Sequence, residues 1–121
     1  MSRFKKDQGD KGELLAINYL KHHGYMIIER NFRTRSGEID IIGIDISENI
    51  PTLCFIEVKT RQNNTFGTPL ESIGYLKLQA MRRTALTYLA HHPNLPKLLR
   101  LDAVSVELSD QPQISLVKNI G

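Results

Sequence analysis

The stretch TLCFIEVKT, residues 52–60, constrains the fold of this chain more than any other segment. Successive side chains of a β-strand point to opposite faces, so a strand here places Phe55, Glu57 and Lys59 on one face. The segment starts with the apolar residues of a buried strand, yet this face ends with a carboxylate and an amine. Either an ion pair at a solvated sheet edge or a metal site with a catalytic lysine explains the pattern.

Helical and strand-like patterns alternate along the rest of the chain. Hydrophobic spacing and turn residues predict a helix over 7–23, strands over 25–32, 37–45 and 52–60, a helix over 75–91, and strands over 99–108 and 113–117. A loop over 61–72 is rich in Asn, Gly, Thr and Pro. The order α-β-β-β-α-β-β predicts an α/β fold in which helices flank one mixed β-sheet.

Length and composition are those of an ordinary globular protein. The 121 residues suffice for one hydrophobic core, so we assign 1–121 to a single domain. No apolar run approaches the roughly 20 residues of a membrane span. The start of the chain lacks the apolar core of a signal peptide, which predicts a cytoplasmic protein. The single cysteine, Cys54, excludes an internal disulfide and a zinc cluster of thiolates, and we expect it in the core.

The distribution of charge favours a polyanionic partner. The net charge is only +3, but the segment from Glu71 to Asp102 contains five basic residues and no acidic residue besides those two. Basic residues beside acidic ones suit a polyanion that must also meet a metal ion.

Pairing of the second and third strands as a hairpin brings two carboxylates together. A hairpin centred between residues 48 and 49 places Asp40 opposite Glu57, and Glu38 opposite Lys59. Opposed side chains share a face, with Cβ atoms about 4.5–5.5 Å apart, and two carboxylates at that distance repel. A divalent cation between them reverses the sign of the interaction, and Mg²⁺ prefers such oxygen ligands. A Glu38–Lys59 ion pair, worth about 0.2–1 kcal/mol, would explain Lys59 but not the opposed carboxylates.

The first helix carries a further acidic candidate. Glu13 lies in line with Ile17 and Leu20, on the helix face expected to pack against the sheet. A glutamate in the first turn also favours the helix dipole, but that effect does not depend on the face. With Glu13 included, the metal site explains more of the pattern than an ion pair does.

The residues that form this pattern also resemble a known family. GEIDII and FIEVKTR, within a pattern that extends from Gly12 to Glu107, resemble the bacterial YraN family. These proteins belong to the restriction-endonuclease-like PD-(D/E)xK group, related to archaeal Holliday junction resolvases. Ile39 occupies the place of the motif's proline. The resemblance implies a site that binds Mg²⁺ or Mn²⁺, with the residues Glu13, Asp40, Glu57, the carbonyl of Val58, and the catalytic Lys59.

The resemblance implies a metal-dependent nuclease that hydrolyses phosphodiester bonds in DNA. A nucleic-acid-binding module whose nuclease-like site is idle remains the alternative. Relatives of this size often act as dimers, which makes a homodimer an alternative to a monomer. The candidate contacts to nucleic acid are Arg33, Arg35, Arg61, Gln79 and Arg83.

Overall fold

The computed structural model describes residues 3–62 and 73–121, with side chains from residue 9 onward. The predicted loop 61–72 therefore lies mostly outside the described residues. The elements are α1 (Arg3–His22), β1 (Tyr25–Thr34), β2 (Gly37–Asp45), β3 (Thr52–Arg61), α2 (Tyr75–Ala90), β4 (Leu98–Glu107) and β5 (Gln113–Val117). The predicted element order is confirmed, and the main difference is that α1 begins four residues earlier than expected.

The strands form one mixed sheet in the order β1-β2-β3-β4-β5. Neighbouring strands are antiparallel except β3 and β4, which run parallel. A parallel pair requires a crossover connection, and α2 lies between these two strands in the chain. The predicted α/β fold with a mixed sheet and two helices is thus confirmed. Within residues 3–62 and 73–121, neither helix combines the length and apolar character of a membrane span.

Strand β3 is buried on both faces. On one face, Cys54 and Ile56 belong to a core cluster that includes Leu20 of α1. On the other face, Phe55 belongs to a second cluster beneath α2. The apolar stripe predicted for α2 supplies most of the helical side of this cluster: Leu78, Met81, Ala85, Tyr88 and Leu89. One helix on each side of the sheet is therefore required to cover β3.

The β2–β3 hairpin has the predicted register over its regular part. The pairs run from Asp45 with Thr52 to Ile41 with Ile56, where regular pairing ends. Glu38 lies beyond this point and forms a 3.2 Å ion pair with Arg33, its partner in the β1–β2 ladder. The proposed ion pair between Glu38 and Lys59 is therefore not the arrangement that the structure adopts.

A buried ionic network fixes the C-terminal segment to the sheet. Asp45 and Asp102 are almost fully buried, and Arg100 contacts both, at 2.7 and 2.8 Å. Lys118 adds a contact of 2.9 Å to Asp45, and Tyr25 donates its hydroxyl hydrogen to Asp102 at 2.8 Å. Because each buried carboxylate here has a basic partner, the network compensates its own charge.

Close contact between α1 and β3 depends on a glycine. A Cβ atom added at Gly12 would overlap the side chain of Thr60. Thr60 is β-branched and has few alternative rotamers, so it cannot easily move aside. The absence of a side chain at Gly12 allows the helix to approach the sheet, and the next residue, Glu13, is thereby buried.

Gly12→Ala should lower the free energy of unfolding by about 1–3 kcal/mol, because the added methyl group overpacks the contact with Thr60. Gly9→Ala is the matched control on the same helix, since a Cβ added there would meet nothing within 4 Å. That control should stabilise the protein by up to about 1 kcal/mol through helix propensity. Chemical denaturation of both variants measures the difference. Equal effects of the two substitutions would contradict the close approach at Gly12.

Candidate metal centre

Asp40 lies where the alternation of β2 is interrupted. Ile39 and Ile42 both belong to the core beneath α2, although strict alternation would place Ile39 on the face of Ile41. The neighbouring strand is also irregular here: Asn31, between the partners of Ile39 and Ile41, has a φ of 53°. Because the backbone departs from regular strand geometry, the side chain of Asp40 can turn towards β3.

The carboxylate of Asp40 accepts a backbone hydrogen bond from β3 where a main-chain carbonyl of β2 would do so in a regular sheet. Its Oδ2 accepts a hydrogen bond of 2.8 Å from the backbone N–H of Val58, beyond the last regular β2–β3 pair. The N–H and C=O of one strand residue point to the same edge, so the carbonyl of Val58 is also directed towards Asp40. The carbonyl oxygen of Val58 and the carboxylate that accepts its N–H therefore lie at the same edge of β3.

Glu57 brings a buried carboxylate to the same place. It is only 5% exposed, and its Oε2 has no hydrogen-bond partner within the described part of the chain. Nζ of Lys77, on α2, lies 2.8 Å from this oxygen but without the alignment that a hydrogen bond requires. A buried oxygen without a hydrogen bond is costly, and a cation at this position would satisfy it.

The ionisation of Asp40 and the ionisation of Glu57 depend on each other. Burial, followed by the hydrogen bond and the negative charge of Glu57, raises the pKa of Asp40 well above its ordinary value. Burial opposes ionisation of Glu57 as well, but contact with Asp40 and the ammonium of Lys77 lowers its pKa. The pair therefore holds one proton near neutral pH, as is typical of two close carboxyl groups.

Glu13 borders this pair. It is 8% exposed, as expected for a carboxylate facing the sheet, and its negative charge contributes to the raised pKa of Asp40. Arg30 of β1 contacts Glu13 through Nη2 at 3.0 Å and Nε at 3.1 Å. Among the described residues, no group of three His, Cys, Asp or Glu side chains is close enough together to hold one metal ion. A cation held here would therefore have two carboxylate ligands, Asp40 and Glu57, and the prediction of Glu13 as a metal residue stays a prediction.

The donor set fits a hard divalent cation. Asp40 and Glu57 offer carboxylate oxygens, Val58 offers a carbonyl oxygen, and one carboxylate oxygen lacks a hydrogen bond. Mg²⁺ is commonly held by one or two carboxylates and keeps several waters, so a third protein carboxylate is not needed.

Comparison with known proteins gives the family. The model of the Uncharacterised protein family UPF0102 matches residues 12–106. The chain belongs to the UPF0102 family. This confirms the resemblance to the YraN family, and the matched range contains Glu13, Asp40, Glu57 and Lys59.

Relatives in the UPF0102 family match nearly the whole chain. The protein of Geobacter metallireducens is 42% identical over 120 residues, which cover 98% of this chain and 95% of the relative. That of Clostridium kluyveri is 39% identical over 122 residues, with coverage of 98% and 97%. That of Alkaliphilus oremlandii is 43% identical over 108 residues, with coverage of 88% and 89%.

Lys59 and the candidate nucleic-acid contacts differ in how deeply they are buried. Lys59 is half-buried, and its charge helps to lower the pKa of Glu57, although Lys77 makes the ion pair. Gln79 is half-buried, about 200° around α2 from Lys77, and so does not face Glu57. Arg61, at the end of β3, is half-buried. The other three candidates are exposed: Arg33, Arg35 and Arg83.

The contacts of Lys77 with Glu57 and of Arg30 with Glu13 in this UPF0102 chain were not predicted from the sequence. Lys77 shares the helical face of Met81 and Tyr88, so the reasoning that found Glu13 would also have found Lys77. Arg30 gave no comparable signal. The register shift between Ile27 and Glu29 changes the face of the following residues and directs Arg30 towards α1.

The metal-free protein should lose stability as pH rises, because Asp40 is more easily protonated in the folded state than in the unfolded state. Its pKa rises from 3.8 to about 8 on folding. Between these values the folded state binds the extra proton, so this contribution is present at low pH and declines as pH rises towards 8. Thermal melts in EDTA from pH 5 to pH 8 measure the decline.

Asp40→Asn should flatten this pH dependence. Asparagine resembles the protonated carboxyl group, because its oxygen can accept the Val58 N–H while its amide donates to Glu57. At pH 8 we expect the metal-free variant to be at least as stable as the wild type. Glu38→Gln, which removes the same charge from the hairpin, should retain the wild-type slope. The same slope for Asp40→Asn would contradict the raised pKa of Asp40.

Proposed function

We propose that this protein is a metal-dependent nuclease that hydrolyses phosphodiester bonds in DNA, with Mg²⁺ or Mn²⁺ as cofactor. The observation that supports this most is the placement of Asp40 between β2 and β3. There its carboxylate accepts the N–H of Val58 and interacts with the buried carboxylate of Glu57. Membership of the family that resembles PD-(D/E)xK nucleases adds to this support.

Each residue of the centre has a separate role in this proposal. Asp40, Glu57 and the carbonyl of Val58 hold the cation, and Glu13 acts from the border through water. When bound, the cation polarises the scissile phosphate and lowers the pKa of water. Lys59, on the face of Glu57, orients the attacking water or stabilises the negative charge that develops on the phosphate.

The choice of DNA as substrate class rests on charge. Arg35 follows the end of β1 in the turn before Gly37, and that turn lies against α2, since a Cβ at Gly37 would be 3.4 Å from Ala80 and Thr84. Exposed arginines on the turn and on α2, including Arg83, suit contacts with phosphates. A cytoplasmic location and a homodimer also stay predictions.

One observation favours the alternative, a nucleic-acid-binding module with an idle site. Two of the three carboxylates already form ion pairs with protein cations: Glu57 with Lys77, and Glu13 with Arg30. A site neutralised in this way does not need a metal ion for stability. Metal binding and DNA cleavage, measured separately, distinguish the two functions.

Mg²⁺ should stabilise the wild-type protein, because it binds the folded state alone. The expected gain is about 2.7 kcal/mol at a concentration of one hundred times Kd. Asp40→Asn should gain much less, whereas Glu38→Gln should gain as much as the wild type. Thermal melts in EDTA and in up to tens of millimolar Mg²⁺ measure these gains. Equal gains for Asp40→Asn and wild type would exclude Asp40 as a ligand.

Cleavage of DNA should require both the cation and Lys59. We expect purified protein to cut at least one of duplex, single-stranded and branched DNA in Mn²⁺ and none in EDTA. Lys59→Ala should reduce the rate about 100-fold or more while the protein still binds Mg²⁺. DNA binding without metal-dependent cleavage, unchanged in Lys59→Ala, would support the idle-site alternative instead.

A further inference from the structure

Among the residues that the structure describes, Lys77 forms the ion pair with Glu57, one of the candidate metal ligands. Its Nζ lies 2.8 Å from Oε2 of Glu57. The side chain of Glu57 is only 7% exposed, whereas that of Lys77 is 37% exposed. The carboxylate is therefore fixed in the core of the sheet, while the ammonium approaches it from α2 along a path open to solvent.

The contact supplies charge but not a directed bond. Oε2 of Glu57 stays without a hydrogen bond although Lys77 is so close. The network around Arg100 is different, because Asp102 accepts hydrogen bonds from Arg100 and Tyr25 at 2.8–2.9 Å. The ion pairs of Arg100 with Asp102 are thus aligned as hydrogen bonds, and the Lys77–Glu57 pair is not.

The other cations near the centre do not occupy this position. Lys59 influences the pKa of Glu57 but does not make its ion pair. Arg30 is held on Glu13 by two nitrogen atoms, at 3.0 and 3.1 Å. Lys77 also comes from a separate element, α2, so its side chain can leave without disturbing the sheet.

We infer that Lys77 is a displaceable counter-ion of the metal site. It neutralises Glu57 in the metal-free protein and competes with the divalent cation for Oε2. When the cation binds, the ammonium of Lys77 leaves the carboxylate and remains at the rim of the site. This inference rests on the proposed function, since it requires Glu57 to be a metal ligand.

Removing the charge of Lys77 should tighten metal binding and destabilise the metal-free protein. In Lys77→Met the competitor is gone, and we expect the Kd for Mg²⁺ measured by calorimetry to fall about fivefold. Melting in EDTA should occur at a lower temperature than in wild type, because Glu57 loses its counter-ion. An unchanged or weakened affinity would overturn the inference.

Lys59→Met is the matched control, because it removes the same charge from the same site without removing the ion pair. Its Kd for Mg²⁺ should change less than that of Lys77→Met. If Mg²⁺ binding tightened equally in both variants, the effect would be one of charge in general. That result would overturn the inference that Mg²⁺ displaces Lys77 from Glu57.

A second measurement uses the wild-type protein and so does not depend on the folding of a variant. The side-chain NMR signal of Lys77, assigned by its loss in Lys77→Arg, should move towards that of a free lysine when Mg²⁺ is added. In Asp40→Asn the signal should stay in place. A signal that does not move while Mg²⁺ binds to the wild type would contradict the inference.

These experiments separate the inference from the function on which it rests. If Mg²⁺ does not bind the wild type, or binds Asp40→Asn equally well, the proposed metal site is wrong and the inference falls with it. If Mg²⁺ binds through Asp40 but Lys77→Met does not tighten binding, the metal site stands and the displacement of Lys77 is wrong.

Discussion

The burial of β3 on both faces is the constraint on which the rest of the structure depends. Phe55 and Ile56 point in opposite directions and both are fully buried, so neither face of this strand can be left to water. The sheet must place β3 at its centre, between β2 and β4, and a helix must cover each side. This arrangement also buries Glu57, because Glu57 follows Ile56 in the same central strand.

The buried Oε2 of Glu57, which accepts no hydrogen bond from the described residues, distinguishes Glu57 from the other buried carboxylates. Asp45 and Asp102 are fully compensated by Arg100 and neighbouring donors, which suits a role in stability. Near Asp40 the regular β2–β3 pairing is instead interrupted and two carboxyl groups lie close together. Burial, and then the contact with Glu57, raise the pKa of Asp40. Two buried carboxyl groups close together with a shifted pKa are more typical of a functional site than of a structural core.

Features that depend on residues close together in the chain were predicted from the sequence, and contacts between separate elements were not. The helices and strands, the apolar stripe of α2 and the hairpin register up to Ile41 and Ile56 were predicted, because they follow from spacing along the chain. The prediction that Glu13 is buried was also confirmed. The contacts of Arg30 and Lys77 were missed, since one depends on a bulge in β1 and the other on the docking of α2.

By itself, the sequence determined which residues alternate, which faces are apolar, and hence that carboxylates from two strands come near one another. Periodicity of 2 or 3.6 residues is a local property, and it fixes the direction of a side chain relative to its own element. Only the tertiary structure decided that Asp40 binds the backbone of Val58 and that an ammonium from α2 reaches Glu57. Those contacts join separate elements, and their geometry depends on how the helices and strands pack rather than on any pattern within one of them.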